Sequence, residues 1–389
     1  MYIDRIISKL KKTERQHVLP DFFRRVQKVS GKKDDPEFIV KILENIRKQK
    51  IKQCDNIEKL SMIQLFLQHY TSYDPDRCEK NSGTLLKSMV MLPFFSQICG
   101  FNSIMLLPHF LRSTRFAKGN TGSPYSVKDY YTVDPSLKDE LIPDASAEDL
   151  FGAFIEASHC LGMKVFIDMV PRTAARDSLW ILENPGWFYW VKPENTEKLV
   201  QLLQTYIPGL PNAVSMNDDV IEKVMTGLPV REIISMFEYS PDVSDPEKWE
   251  RFRSSLNKGE PFLDRIVEEF GVIPPPCTSD CVNDPQPAWT DVTPLRLYRD
   301  YHVNISKHLG CAYNEIPPFF IQPILKASNF KGKIPVEDLW EKISEIPHYY
   351  SEKFGVDGLR GDMFHALPSE LIDRMIAPLN KKDFVLIME

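Results

Sequence analysis

The chain has 389 residues, 43% of them hydrophobic and 26% charged, with a formal net charge of −6. That length and composition exclude a disordered protein and allow one large α/β domain or two smaller ones. Lys and Arg are scattered rather than striped, which argues against nucleic acid as a partner.

In chain order, the N-terminus MYIDRIISKLKK mixes basic and apolar residues within a few positions, unlike a signal-peptide core or a membrane span. The expectation is a cytoplasmic protein with no membrane segment. The seven cysteines are an odd number, spread from Cys54 to Cys311 without the dense pairing of a disulfide scaffold, as suits a reducing compartment. Cys277 and Cys281 are the only close pair, and no second Cys or His pair at a matching spacing completes a zinc site, so no metal is expected.

Residues 1–60 carry Lys, Arg, Glu and Leu at helical spacing, as in FIVKILENIRKQ, and predict an N-terminal extension of two or three amphipathic helices. From Met62 the texture changes. MIQLFLQHY predicts a strand, TLLKSMVMLPFFSQICG a helix and NSIMLLPHF a second buried strand. SAEDLFGAFIEASHCLG then predicts a helix capped by Ser146 and stopped at Gly162, leading into the strand MKVFIDMVP. Residues 61–170 therefore hold three strands.

Residues 171–334, rich in proline, aromatics and turn signals such as NDPQP, predict a long insertion after the third strand, forming a lobe and linker over the site. In 335–389 the helix IPVEDLWEKISEIPHYYSEKFG leads to the strand VDGLRGDM, and the helix SELIDRMIAPLN leads to DFVLIME. Alternating helices and apolar strands predict an α/β fold with a parallel sheet, doubly wound or closed into a barrel. Polar residues collect at the strand ends: His69, His109, Asp168, Arg360 with Asp362, and Glu389. In a parallel barrel that is the face where active sites are built.

Asp362 and Glu389 are the candidate reacting pair. Cleavage of a glycosidic bond with retention needs one carboxylate to attack the anomeric carbon and one carboxylic acid to protonate the leaving oxygen, roughly 5–5.5 Å apart. Neighbouring parallel strands about 4.8 Å apart can deliver that spacing. The alternative is that Asp362 caps the next helix and Glu389 is a polar strand end. His69 and His109 either line the site or are structural. The run Trp187, Phe188, Tyr189 and Trp190 supplies stacking platforms for sugar rings, with two of the four exposed, or packs the core of the insertion.

FGVDGLRGDMFHALP, residues 354–368, resembles the fourth-strand motif of the α-amylase superfamily, glycoside hydrolase family 13, in which an arginine precedes the nucleophilic aspartate by two positions, as Arg360 precedes Asp362. A guanidinium there is expected to hold the carboxylate ionised and aimed. DFVLIME resembles the fifth-strand motif, with Glu389 in the place of the general acid. KVFIDMV resembles the third-strand motif, with Asp168 as the aspartate near the donor sugar. GSPYSVKDY resembles the second-strand loop, with Tyr125 as the stacking aromatic and Asp129 four residues on. His365, three residues beyond Asp362, is placed on the acceptor side.

SPYSVK, PRTAARDS, WFYW and NDPQPAWTDVT are similar to the maltosyltransferases of the Thermotoga type within that superfamily. The resemblance runs from about residue 85 to the last residue and only loosely covers the N-terminal helices. It implies a TIM-type (β/α)8 barrel, of which about five strands are present here. It also implies a retaining α-1,4-glucan glycosyltransferase acting on maltooligosaccharides through a covalent glycosyl-aspartate, with no cofactor required and self-association into a homo-oligomer left open. Where amylases place Asn and His after the third-strand aspartate, this chain has Arg172 and Thr173, which makes a calcium site there doubtful and is shared with the maltosyltransferase pattern. Arg172 and Arg176 bind an anion such as phosphate, or form structural salt bridges. With five strands and no match to the superfamily's third carboxylate, the expectation is a truncated reading frame or a piece of a longer protein. Hydrolysis by the same residues, and an inactive glucan-binding remnant, remain as alternatives.

Overall fold

The computed structural model describes residues 1–15, 35–70, 83–118, 122–206, 226, 229–257, 259–277, 288–299, 316–320, 334–379 and 384–389. Helices α1 (Tyr2–Lys12) and α2 (Asp35–Lys48) come first, followed by β1 (Met62–Leu65), α3 (Leu85–Pro93) and β2 (Ser103–Leu106). A hairpin of β3 (Phe110–Arg112) and β4 (Val127–Val133) precedes α4 (Ala147–Cys160) and β5 (Lys164–Met169). Next come β6 (Thr173–Ala175), β7 (Trp190–Val191), α5 (Thr196–Tyr206), β8 (Phe237–Glu238), α6 (Pro246–Ser255), α7 (Leu263–Phe270) and β9 (Val292–Pro294). The chain closes with α8 (Glu337–Phe354), β10 (Gly358–Gly361), α9 (Ser369–Ile376) and β11 (Val385–Met388).

The fold is α/β. Its principal sheet has five parallel strands in the order β1-β2-β5-β10-β11, which is chain order. A doubly wound sheet reverses its order part-way, whereas the wall of a (β/α)8 barrel never does, and this sheet never does. Successive helices pack on one another along it, α3 on α4, α4 on α8 and α8 on α9. Burial follows position: every residue of the central β5 is buried, while β1 and β11 at the edges are partly exposed. Among the described residues no helix is long and apolar enough to cross a membrane.

Local signals explain the elements. Ser146 caps α4 by accepting a hydrogen bond from Asp149 N at 3.0 Å, and Gly162 supplies the left-handed turn, φ 72°, that lets the chain enter β5. The first strand is shorter than MIQLFLQHY suggests. It stops at Leu65, and Leu67–Tyr70 turns as a helix with Tyr70 N donating to Phe66 O. His69 therefore sits on a helical turn with its ring stacked on Phe66 rather than on a strand end. NSIMLLPHF is likewise divided, β2 ending before Pro108 and β3 leaving to pair antiparallel with β4.

Between β5 and α8 the described residues form short antiparallel pairs, β6 with β9 and β7 with β8, together with α5, α6 and α7. Cys277 is buried there, and Cys281 lies outside the described residues.

Candidate active site

The sheet register assembles the site. Arg360 on β10 is paired with Asp168 on β5, and Gly361 with Met388 on β11. Asp362 and Glu389, one residue further along, therefore emerge side by side at the ends of neighbouring strands. Asp362 N donates to Met169 O at 2.9 Å and Glu389 N to Gly361 O at 3.4 Å, so the ladder continues to the two acids.

Arg360 joins three carboxyls. Its Nη1 donates to Asp168 Oδ1 and Oδ2, both at 3.1 Å, and to Asp362 Oδ1 at 2.7 Å. Its Nη2 lies 2.8 Å from Glu389 Oε2. Tyr125 reaches in from the loop before β4, its hydroxyl donating to Asp168 Oδ2 at 2.8 Å. Asp168 is fully buried, Asp362 is mostly buried and Glu389 is half open.

The electrostatics depart from the expectation that Arg360 keeps Asp362 ionised. Burial first, and then a direct hydrogen bond to Glu389, push the Asp362 carboxyl up to about 7 despite the opposing pull of Arg360. Glu389 moves the other way, lowered by the same hydrogen bond and by Arg360. Burial of Asp362 outweighs the single positive charge of Arg360, which is divided among three acids. The hydrogen bond between Asp362 and Glu389 puts the two carboxyls in contact, closer than the roughly 5–5.5 Å of a retaining pair with a sugar between them. Burial likewise raises Asp168, against the lowering pull of Arg360 and Tyr125.

The remaining candidates divide. His365 is exposed on the turn after Asp362, near enough that its positive charge would lower Glu389. His109 is not at the cluster. It is fully buried in an aromatic nest, stacked on Phe151 at 4.3 Å and edge-on to Tyr350, and burial lowers it to about 3. Trp187 is 5% exposed, with its indole N–H donating to Asp338 at 3.0 Å, and Phe188, Tyr189 and Trp190 are buried as well. The expectation that two of these four are exposed is corrected: the run packs the core, because each large apolar ring gains more from burial than from solvent.

Arg172 is 7% exposed, with its charge felt by Tyr130. Arg176 donates to Pro274 O at 2.8 Å and lies over the Phe116 ring. Thr173 turns its hydroxyl back to Val170 O at 3.5 Å. Asp129 accepts from Thr132, Tyr131 and Trp180, a structural set.

Sequence reasoning passed over Met363 and Trp289. Met363 takes a left-handed backbone, φ 54°, the only non-glycine residue with positive φ among those described, and its N–H donates to Glu389 Oε2 at 3.3 Å. Nothing in the sequence marks that conformation. Trp289 was visible within NDPQPAWTDVT but carried no role.

No family model matches the chain. It is 29% identical over 140 residues to the alpha-1,4-glucan:maltose-1-phosphate maltosyltransferase of Cereibacter sphaeroides, covering 33% of this chain and 22% of that protein. It is 31% identical over 124 residues to the enzyme of the same name from Mycolicibacterium smegmatis, covering 29% of this chain and 17% of that one. Among solved structures it is similar to an alpha-amylase from Lactobacillus plantarum, with TM-score 0.41 and 17% identity over 88% of this chain and 46% of that one. It is also similar to a maltogenic alpha-amylase from Thermotoga neapolitana, with TM-score 0.40 and 18% identity over 86% of this chain and 46% of that one. The chain thus matches about a fifth of the curated relatives' length and under half of the solved chains. By its motifs and by its likeness to those curated maltosyltransferases, the chain resembles the α-amylase superfamily over part of its length.

Proposed function

We infer that the chain carries the reacting carboxyls of a retaining α-1,4-glucan glycosyltransferase, of maltosyltransferase or 4-α-glucanotransferase type. The observation that carries this reading is the register that sets Asp362 beside Glu389, with Arg360 and Asp168 immediately behind. Asp362 attacks C1 of the donor sugar while Glu389 protonates the departing glycosidic oxygen, leaving a glycosyl-aspartate. Glu389 then takes a proton from the acceptor hydroxyl as that oxygen attacks C1, and Asp362 is released. Burial raises Asp362 while the hydrogen bond between the two lowers Glu389, so the one proton this requires starts on Asp362 and must pass to Glu389 as a sugar enters between the carboxyls. Tyr125, Asp168 and Arg360 form the wall that receives the donor ring. The name of the curated relatives favours transfer, with maltooligosaccharides as substrates and no cofactor needed by the two displacements.

Maltoheptaose tests this. Transfer produces a product ladder shifted by two glucose units, whereas accumulating reducing ends indicate hydrolysis by the same residues. Binding without turnover supports the remnant reading. Asp362→Asn is expected to lower kcat by at least about a thousandfold with the fold kept, as removal of a covalent nucleophile does. Wild-type-like activity in that variant would remove the assignment.

A further inference from the structure

Five of the six tryptophans, Trp180, Trp187, Trp190, Trp249 and Trp340, are at most 5% exposed, and Trp289 alone is left partly open. Its packing links it to Met363, the residue after Asp362. The β6–β9 pairing sets Val292 against Ala175, just past the end of β5. Cys277 N donates to Val292 O and Trp289 N to Cys277 O, each at 2.8 Å. Cys277 and Val292 form a small apolar cluster separate from the main core, and two partly exposed side chains pack on it, Trp289 and Met363. Met363 directly follows Asp362, and its backbone holds Glu389. An indole and the thioether of the residue that follows Asp362 thus share one apolar base.

Lys118 completes the group. Its Nζ lies 4.5 Å from the Trp289 ring centroid and 3.3 Å from Oδ1 of Asp291, a carboxyl with no exposed surface. The buried charge anchors the ammonium where it can also reach hydroxyls beside the ring.

We propose that Trp289, backed by Met363, is the platform on which one glucosyl ring of the α-glucan stacks beside the bond being cleaved, with Lys118 donating to that ring's hydroxyls. A pyranose presents apolar C–H groups on its faces and hydroxyls around its rim, which matches an indole with a cation at its margin. This rests on the α-glucan reading of the site.

The test measures maltoheptaose binding by calorimetry alongside turnover, and follows acrylamide quenching of tryptophan fluorescence, in which the partly open Trp289 dominates. Trp289→Ala is expected to weaken binding and raise KM about tenfold with kcat nearly unchanged, and Trp289→Phe to recover to within about threefold of wild type. Maltoheptaose is expected to shield the quenchable tryptophan. Should the alanine variant fail to fold, the phenylalanine variant and the quenching decide. Loss of affinity in Trp289→Phe as deep as in the alanine variant, unshielded fluorescence, or unchanged binding in Trp289→Ala while wild type turns over would overturn the platform alone. Trp289-dependent binding without any turnover would overturn the transfer reading and keep the platform, whereas a wild type that neither binds nor reacts overturns both.

Discussion

Arg360 faces Asp168, Asp362 and Glu389 at once, yet its single charge does not offset the burial of Asp362. Asp362 moves from its ordinary 3.8 to about 7, chiefly through burial. Between roughly pH 4 and 7 the unfolded chain has released this proton and the native chain still holds it, so stability falls as pH rises through that window. Glu389 is shifted downward, and its opposite contribution is lost on acidification near and below its ordinary 4.5. Asp362→Asn cannot ionise and loses the slope. Its melting temperature relative to wild type is therefore expected to rise from pH 5 to pH 8, and a gap that stays constant with pH would refute the raised Asp362 carboxyl. The partners of Asp362 were legible from the Arg-x-Asp spacing, but its protonation was not, because burial and a neighbour 27 residues on are properties of the assembled sheet.

At the scale of elements, the site depends on how tightly β10 fits between β5 and β11. Gly358 has no room for a side chain: a Cβ there would overlap the Phe166 ring on one strand and the Val385 carbonyl on the other. Gly358→Ala must therefore push β10 away from a neighbour, an overpacking that costs about 1–3 kcal/mol. Urea unfolding should show that loss, and activity should fall with it, because Asp362 and Glu389 meet only through the β10–β11 register; full stability in the variant would mean the sheet can yield. The strands carrying Asp168 and Glu389 were legible because the apolar runs VFI and FVLIM each stop just short of an acid. The errors lay where an apolar run outlasts its strand. MIQLFLQHY contains β1 and then a helical turn, and periodicity over nine residues does not separate them. His109 was misplaced for a related reason: position just past β2 is readable, but which layer the ring enters is decided by Phe151 and Tyr350 from helices far along the chain.

Over the whole molecule, the N-terminal helices read in sequence as an extension, yet their packing is that of a core. Ile3, Ile6, Ile7 and Leu10 follow the i, i+3, i+4, i+7 spacing of one helical face, and all are at most 5% exposed. They belong to a single contiguous apolar cluster that runs through the sheet and α8 to Met375. The contact with α4 is close enough that a Cβ on Gly152 would strike the Tyr2 ring, so any larger residue there must displace that ring. An appended helix would give up its contacts without disturbing the barrel strands, whereas a helix sharing their core cannot. Ile6→Ala, at a fully buried position, is expected to cost about 2–5 kcal/mol, the usual price of an apolar cavity. Because the cluster is continuous, that loss should move one cooperative unfolding transition as a whole, with the same midpoint by circular dichroism and by tryptophan fluorescence, whose six reporters all lie far along the chain from α1. A first step confined to the circular dichroism signal, with an unshifted fluorescence midpoint, would show that α1 and α2 unfold by themselves and that the sheet carrying Asp362 and Glu389 stands without them.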